Sequence, residues 1–343
     1  MRESMRRYLA ALALVLYLGL AGWPAMAQAA DSAVILMYHR FGESAYPSTN
    51  IKIEQLEAHI QELTSGGYTV LPVAEIMSRI RDGNALPDRA VGITIDDGYR
   101  SIYTEAWPRF RKAGLPFTIF ISTDPIDRGA DGQLTWDQIR EMRKTGVRIG
   151  AHTGSHLHMV RADENRNRDE ITRSNKRLME ELGEAPTLFA YPYGETGLDV
   201  KKVVDQAGYA FIFGQHSGAI GPMTDLTYIP RFALNENFGS LGRLKLVINA
   251  LPLPAKDFTP LDTKVGSVNP PHFGFTVARP LKNLGQMNCF VSGEGRVPIT
   301  RLGESRIEIR PSKPFGKGRT RINCTLPADG GRWHWLGTLF VAP

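Results

Sequence analysis

The chain has 343 residues, with 41 Lys and Arg against 35 Asp and Glu, a formal net charge of +6. Spread over this length, the excess is too diffuse to indicate a nucleic-acid partner, and no basic stripe is interleaved with aromatic residues. There is no internal repeat or low-complexity tract, and the composition suits one large domain and one small one.

The N-terminus reads as an export leader. Arg2, Arg6 and Arg7 precede an apolar run from Tyr8 to Leu20, and Ala25-Met26-Ala27 offers a small-x-small cleavage site, with Ala30 as a second cut point. The apolar run is shorter than the roughly 20 residues that span a bilayer. Residues 1–30 are therefore expected to be removed, leaving a protein in the periplasm or cell exterior that is not integral to the membrane. Losing Arg2, Arg6 and Arg7 together with Glu3 lowers the formal charge from +6 to +4.

From residue 31 to 250, short apolar runs alternate with amphipathic stretches. The runs are Val34 to Tyr38, Val91 to Ile95, Phe117 to Ile121, Val147 to Ala151, Thr187 to Tyr191, Tyr209 to Phe213 and Tyr228 to Phe232. Each is of strand length and most are followed by a polar residue. Helices are expected over Ile53 to Thr64, from the capping-box sequence at Thr135 through Met142, and from Glu164 to Leu182 before Gly183. This alternation predicts an α/β fold with a parallel sheet, open or closed into a barrel, and ligands at the carboxyl ends of the strands.

Residues 251–272 are rich in proline and read as a stiff linker. Residues 273–343 hold alternating segments without a convincing helix, the pattern of a small antiparallel β-sandwich. Trp333 and Trp335 share one face of such a segment, a core spacing. Cys289 and Cys324 are the two cysteines of the chain. Export favours a disulfide between them over a metal clip or a redox pair.

Three segments carry chemistry. Thr94-Ile95-Asp96-Asp97-Gly98 places two carboxylates at a strand end, where packing alone does not explain them, although Asp-Asp-Gly is also turn chemistry. His152-Thr153-Gly154-Ser155-His156 follows another strand. With Asp97 its two histidines make an oxygen-and-two-nitrogen set that suits zinc, iron, cobalt or nickel and leaves positions open for water. Ala190-Tyr191-Pro192-Tyr193-Gly194 is a turn able to present a backbone N–H to a developing oxyanion.

In this order and at these strand ends, the three segments resemble the motifs of the polysaccharide deacetylase family (carbohydrate esterase family 4): T-F-D-D-G, H-[ST]-x-x-H and R-x-P-[YF]-G. The resemblance covers roughly Val34 to Ala250. Leu36 to Phe41 and Ile229-Pro230-Arg231 look like the exported bacterial branch that includes poly-N-acetylglucosamine deacetylases.

The resemblance implies a distorted (β/α) barrel of about seven strands, open between the first and the last. It implies Asp97, His152 and His156 as ligands of a divalent metal, zinc foremost, Asp96 as general base, and the Tyr193 N–H at the oxyanion. The substrate implied is an N-acetylated polysaccharide, which loses acetate.

Two family features are missing: Ala190 stands where the family carries an arginine beside the base, and no late Leu-x-His segment is evident. Arg231, in a late apolar run, is expected to replace that arginine, and His39, at a strand end, to stand in as the acid ahead of His216. An esterase or amidase for another acyl substrate and a non-catalytic sugar-binding homologue remain as alternatives.

Overall fold

The computed structural model of the protein describes residues 29–343. The expected leader lies outside them except for Ala29 and Ala30, which pair with Pro87 and Leu86. Among the described residues no helix is long and apolar enough to cross a membrane.

Seven parallel strands form the path of a curled sheet, β1 (Ala33–Tyr38), β2 (Ala90–Asp97), β3 (Thr118–Ile121), β4 (Arg148–Ala151), β5 (Leu188–Ala190), β6 (Phe211–Phe213) and β7 (Phe232–Ala233), and the short strand Thr69–Val70 pairs off this path with the start of β2. Their spatial order is β6-β5-β4-β3-β2-β1-β7, a distorted (β/α) half-barrel. Around it run α1 (Ile53–Ser65), α2 (Val73–Arg81), α3 (Trp107–Lys112), α4 (Thr123–Asp127), α5 (Trp136–Lys144), α6 (Glu164–Leu182), α7 (Leu198–Asp205) and α8 (Leu241–Ile248). The helices α1, α5 and α6 fall where the sequence places them. The Thr135 hydroxyl accepts from the Gln138 N–H, and the Gln138 side chain accepts from the Thr135 N–H, which closes the capping box of α5. The helices α3, α4, α7 and α8 are too short for their periodicity to stand out, and α2, as long as α5, begins after Pro72 without a side-chain cap.

Period-two alternation sorts each strand between two cores. On β2, Val91, Ile93 and Ile95 face the helices and join one cluster with Leu56, Phe110, Ile139, Leu178 and Val200. Gly92, Thr94 and Asp96 point to the inside of the curl. There Ile35, Phe120, Ala190, Phe213 and Ile229 pack with Val73, Ile76 and Met77 of α2. The interior is crowded: a Cβ on Gly92 would sit 2.7 Å from Ile35, and one on Gly150 would sit 2.6 Å from the Phe120 ring.

The barrel opens at a different place from the one expected. First and last strands are paired, Leu36 with Phe232 and Met37 with Ala233. The gap lies between β6 and β7, spanned by one bridge from Phe213 to Ile229. Pro230 explains the break, because it has no N–H to continue a ladder. Before Pro230 the chain pairs with β6, and after it with β1. Residues 229–233 therefore cross the mouth of the barrel from one edge to the other.

The proline-rich stretch 251–272, expected as a stiff linker, is partly built into sheets. Its first part forms β8 (Ala250–Pro252) and β9 (Ala255–Thr259). The remaining strands are β10 (Phe273–Val277), β11 (Asn288–Val291), β12 (Gly295–Val297), β13 (Ile299–Leu302), β14 (Arg306–Ile309), β15 (Gly318–Pro327) and β16 (Trp333–Ala342). They make two sheets, β8-β16-β15-β11-β12 and β9-β10-β14-β13, around a shared core that includes Phe273, Phe275, Ile307, Ile322 and Phe340. The pairing is antiparallel except for β8, which leaves the barrel directly after α8 and runs parallel to β16. Trp335 of β16 turns its edge to Phe232 of β7 at 5.2 Å between ring centroids, joining the β unit to the barrel.

Cys289 and Cys324 are directly opposed on β11 and β15 and form a disulfide in this core. Closing a loop of 35 residues restricts the unfolded chain by about 4 kcal/mol in the chain-entropy treatment. Replacing both cysteines with serine is expected to lower the thermal midpoint of the β unit by several degrees. An unchanged midpoint in calorimetry would show that the strand pairing alone sets its stability.

Candidate active site

The two aspartates sit where β2 ends, opposite Phe120 and Ile121 of β3. Asp96 still follows the strand and points inward. Asp97 has φ 77 and Gly98 φ 83, so the chain turns sharply and the second carboxylate leaves in another direction. One strand end thus serves two separate surroundings.

Asp96 is fully buried, as is Arg231. The guanidinium donates from Nη1 to Oδ1 at 2.7 Å and from Nη2 to Oδ2 at 2.8 Å. Its Nε donates to the Gly214 carbonyl at 2.8 Å, and Nη1 also reaches the Thr94 hydroxyl at 3.0 Å. Thr94 in turn donates to the Leu36 carbonyl, so its oxygen faces the guanidinium as an acceptor. Phe120 and Phe213 flank the cation at 5.4 and 5.8 Å. Burial pushes the Asp96 carboxyl up, but the charge and paired hydrogen bonds of Arg231 outweigh it and hold the group below the usual carboxylate range. His39 lies at the end of β1 with Nε2 4.0 Å from Asp96 Oδ2, and burial lowers its pKa.

His152 follows β4 and is fully buried. Thr153 and His156 both have positive φ, 65 and 62, and this double reversal curls the segment until the two imidazoles lie 4.9 Å apart. The curl is held by Glu170 of α6, a buried carboxylate that accepts from the Ser155 N–H at 2.7 Å and from its hydroxyl at 3.0 Å. Arg173 donates to Glu170 at 2.9 Å and balances its charge.

The donor set fits a metal ion. His152 Nδ1 lies 2.7 Å from the Ala190 carbonyl, an acceptor only, so Nδ1 carries the proton and Nε2 presents a lone pair. That lone pair faces Asp97 Oδ1 at 3.3 Å, and both atoms are buried without a hydrogen-bond partner. Two buried acceptors in this arrangement repel unless a cation lies between them. His156 Nε2 is 3.2 Å from the same oxygen. Ligands about 2.1 Å from a tetrahedral ion stand about 3.4 Å apart, so the spacing suits such an ion.

Tyr193 lies in the single turn Pro192–Gly194 at φ 60, with its ring edge-on to His156 at 4.3 Å and stacked on His158 at 3.7 Å. All seven residues named from the sequence thus gather around the carboxyl ends of β1, β2, β4 and β5, with Arg231 reaching in from just before β7. His216 does not join them: it stacks on Tyr228 at 4.2 Å, and burial pushes its pKa down to about 3. Missed in the sequence are Thr94, Glu170 and Gln215, whose amide lies 3.5 Å from Asp96 Oδ2. Thr94 stands inside the aspartate motif and could have been noticed; no local pattern marks the other two.

Residues 83–212 match the family described as polysaccharide deacetylase. The Bacillus subtilis protein YxkH is 30% identical over 175 residues, 51% of this chain and 61% of YxkH, so the chain spans less than two thirds of that relative. The poly-beta-1,6-N-acetyl-D-glucosamine N-deacetylase of Staphylococcus aureus is 27% identical over 234 residues, 60% of this chain and 80% of that protein. Among solved structures, the Streptococcus pyogenes deacetylase PplD aligns with a TM-score of 0.59 at 22% identity, over 63% of this chain and 98% of PplD. IcaB from Ammonifex degensii aligns with a TM-score of 0.57 at 24% identity, over 62% of this chain and 96% of IcaB. These two likenesses concern the fold of the curled sheet. The matched residues 83–212 carry Asp96, Asp97, His152, His156 and Tyr193, so the strand-end site lies within a polysaccharide deacetylase domain.

Proposed function

We propose that this protein hydrolyses N-acetyl groups on an N-acetylglucosamine-containing polysaccharide, releasing acetate, with a divalent metal held by Asp97, His152 and His156. The carrying observation is the pairing of two buried groups on one strand end. Asp97 and His152 offer orphaned acceptors to a cation, while Asp96, next in sequence, is kept ionised by Arg231. An enzyme that activates water at a metal needs both, side by side. The name of the Staphylococcus aureus relative supports the choice of polymer. Zinc is the metal proposed, since one carboxylate and two imidazoles form a common site for it.

A bound divalent ion supplies Lewis acidity and lowers the pKa of water within its reach. The protein's own residues do the rest. Asp96 takes the proton of the attacking water at a lone pair of Oδ2 that Arg231 leaves free. The Tyr193 N–H donates to the oxygen of the former carbonyl as its charge grows. The proton collected on Asp96 returns to the departing sugar amine along the side lined by His39, 4.0 Å from Oδ2.

We further propose that residues 31–250 form the catalytic domain and that the leader directs export. The Cys289–Cys324 bond supports the export reading, because such bonds persist in oxidising compartments.

Acetate release from N-acetylglucosamine oligomers, with zinc and with chelator, tests the activity. Zinc should support turnover and chelation abolish it; full activity in protein shown by elemental analysis to be metal-free would exclude the mechanism. Asp97→Asn and His152→Ala should lose metal and turnover together. Asp96→Asn should keep the metal and lose turnover by about a thousandfold, within the range for a missing base.

Arg231→Ala leaves Asp96 buried without a partner, and removing one member of such a pair costs about 3–5 kcal/mol. The variant should therefore unfold at a markedly lower temperature and, where folded, retain metal but turn over about a hundredfold more slowly. Wild-type stability together with wild-type turnover would remove Arg231 from the machinery.

A further inference from the structure

The β unit touches the site itself. Arg319, at the start of β15, donates from Nη1 to the Tyr193 carbonyl at 3.1 Å, across 126 residues of sequence. Its guanidinium carbon is 5.6 Å from the centre of the Tyr193 ring, and its Nε is 3.8 Å from Glu195 Oε1. The other oxygen of Glu195 is 2.8 Å from His158 Nδ1, and His158 stacks on Tyr193 with 2° between the planes. Arg319, Glu195, His158 and Tyr193 thus close a ring of contacts, with Glu195 only 2% exposed at its centre.

Tyr193 needs such a hold. A left-handed conformation in a residue with a Cβ costs about 1–2 kcal/mol, and it persists only where the surroundings fix it. The turn cannot relax through Gly194 either, because that glycine has φ 68 and abuts Gln215, where a Cβ would stand 2.6 Å away. From below, the Tyr228 hydroxyl donates to the Gly194 carbonyl at 2.7 Å. From the outer side, polar contacts come from the segment after the barrel. Arg319 holds Tyr193, the Thr263 hydroxyl donates to the Thr196 carbonyl at 2.8 Å, and Asp262 accepts from the Leu198 N–H at 3.2 Å.

We propose that the C-terminal β unit completes the active site and that Arg319 is a positioning residue. It fixes the strained Tyr193 turn, and so the direction of the Tyr193 N–H and ring. The proposal rests on the deacetylase reading for its kinetic consequence, but the contact to the turn stands independently of that reading. A tether that only joined the two units would have no need to end on the carbonyl of a strained residue beside the metal-ligand candidate His156.

The full-length, zinc-loaded protein with Arg319→Met and Arg319→Lys provides the test. Methionine keeps the aliphatic stem and removes the donors. It should lower kcat for N-acetylglucosamine oligomers about tenfold or more, with KM, zinc content and thermal midpoint nearly unchanged, as expected when an aligned group is misplaced. Lysine, which can still reach a carbonyl, should restore part of the loss. A lower thermal midpoint with wild-type kcat per folded molecule would make Arg319 a simple staple and overturn the proposal. The crystal structure of Arg319→Met gives an answer that does not depend on activity. The Tyr193 turn should leave its left-handed conformation or lose its stack on His158, and an unmoved turn would also overturn the proposal. If the wild-type protein releases no acetate, the deacetylase reading fails while the structural comparison still decides what Arg319 does.

Discussion

The contact between Arg231 and Asp96 constrains more of this structure than any other. A guanidinium sealed inside a curled sheet has lost its water, and each N–H that finds no acceptor there costs about 1–3 kcal/mol. Here the acceptors are both oxygens of Asp96, the Thr94 hydroxyl and the Gly214 carbonyl, drawn from β2 and from the loop after β6. Arg231 can meet all of them only because residues 229–233 cross the mouth of the barrel. Pro230 takes the chain off β6 immediately before Arg231, and Phe232 docks it on β1 immediately after. The position of the gap in the barrel and the satisfaction of the buried ion pair are therefore one structural fact.

That coupling also accounts for what was legible in the sequence. The aspartate pair, the two histidines and the Tyr193 turn stand out because each is a polar interruption at the end of an apolar strand, a contrast confined to a few residues. Arg231 can be named from its place in a late apolar run. Its pairing with Asp96, across 135 residues, is expected only through the family resemblance, and its contacts with Thr94 and Gly214 depend on how the sheet curls. The same holds for Glu170, which looks like one more acidic residue of a polar helix, and for Arg319, which looks like one more basic residue of an alternating strand. The proline-rich stretch misleads for a related reason. Proline at strand beginnings and edges is compatible with a sheet, and composition does not show whether a neighbouring edge is available.

Energetically, the site divides into a rigid half and a strained half. Asp96 and Arg231 belong to the rigid half, sunk among Phe120, Phe213 and Ile229, where displacing either charge would expose the other to an apolar interior. The strained half consists of turns. Asp97, Thr153, His156 and Tyr193 all have positive φ, a conformation that residues with a Cβ avoid, and all four lie within the candidate metal site or against it. Strain of this kind aims side chains at a point that regular strands would miss, and it survives only under external restraint.

The restraints come from different layers of the molecule. Glu170, on a helix outside the barrel, holds the histidine turn through Ser155. Arg319, on a strand of the second unit, holds the tyrosine turn. A further contact ties the second unit to the rigid half: Gly337 of β16 lies so close to the Ser217 carbonyl that a Cβ there would collide with it. Ser217 belongs to the loop whose Gly214 carbonyl receives Arg231 Nε. Any shift of the β unit against the barrel is therefore felt at two places, the turn that carries the Tyr193 N–H and the loop that supports Arg231, the partner of Asp96. The β unit thus reaches both halves of the candidate site, the strained one through Arg319 and the rigid one through Gly337 and the Gly214–Ser217 loop.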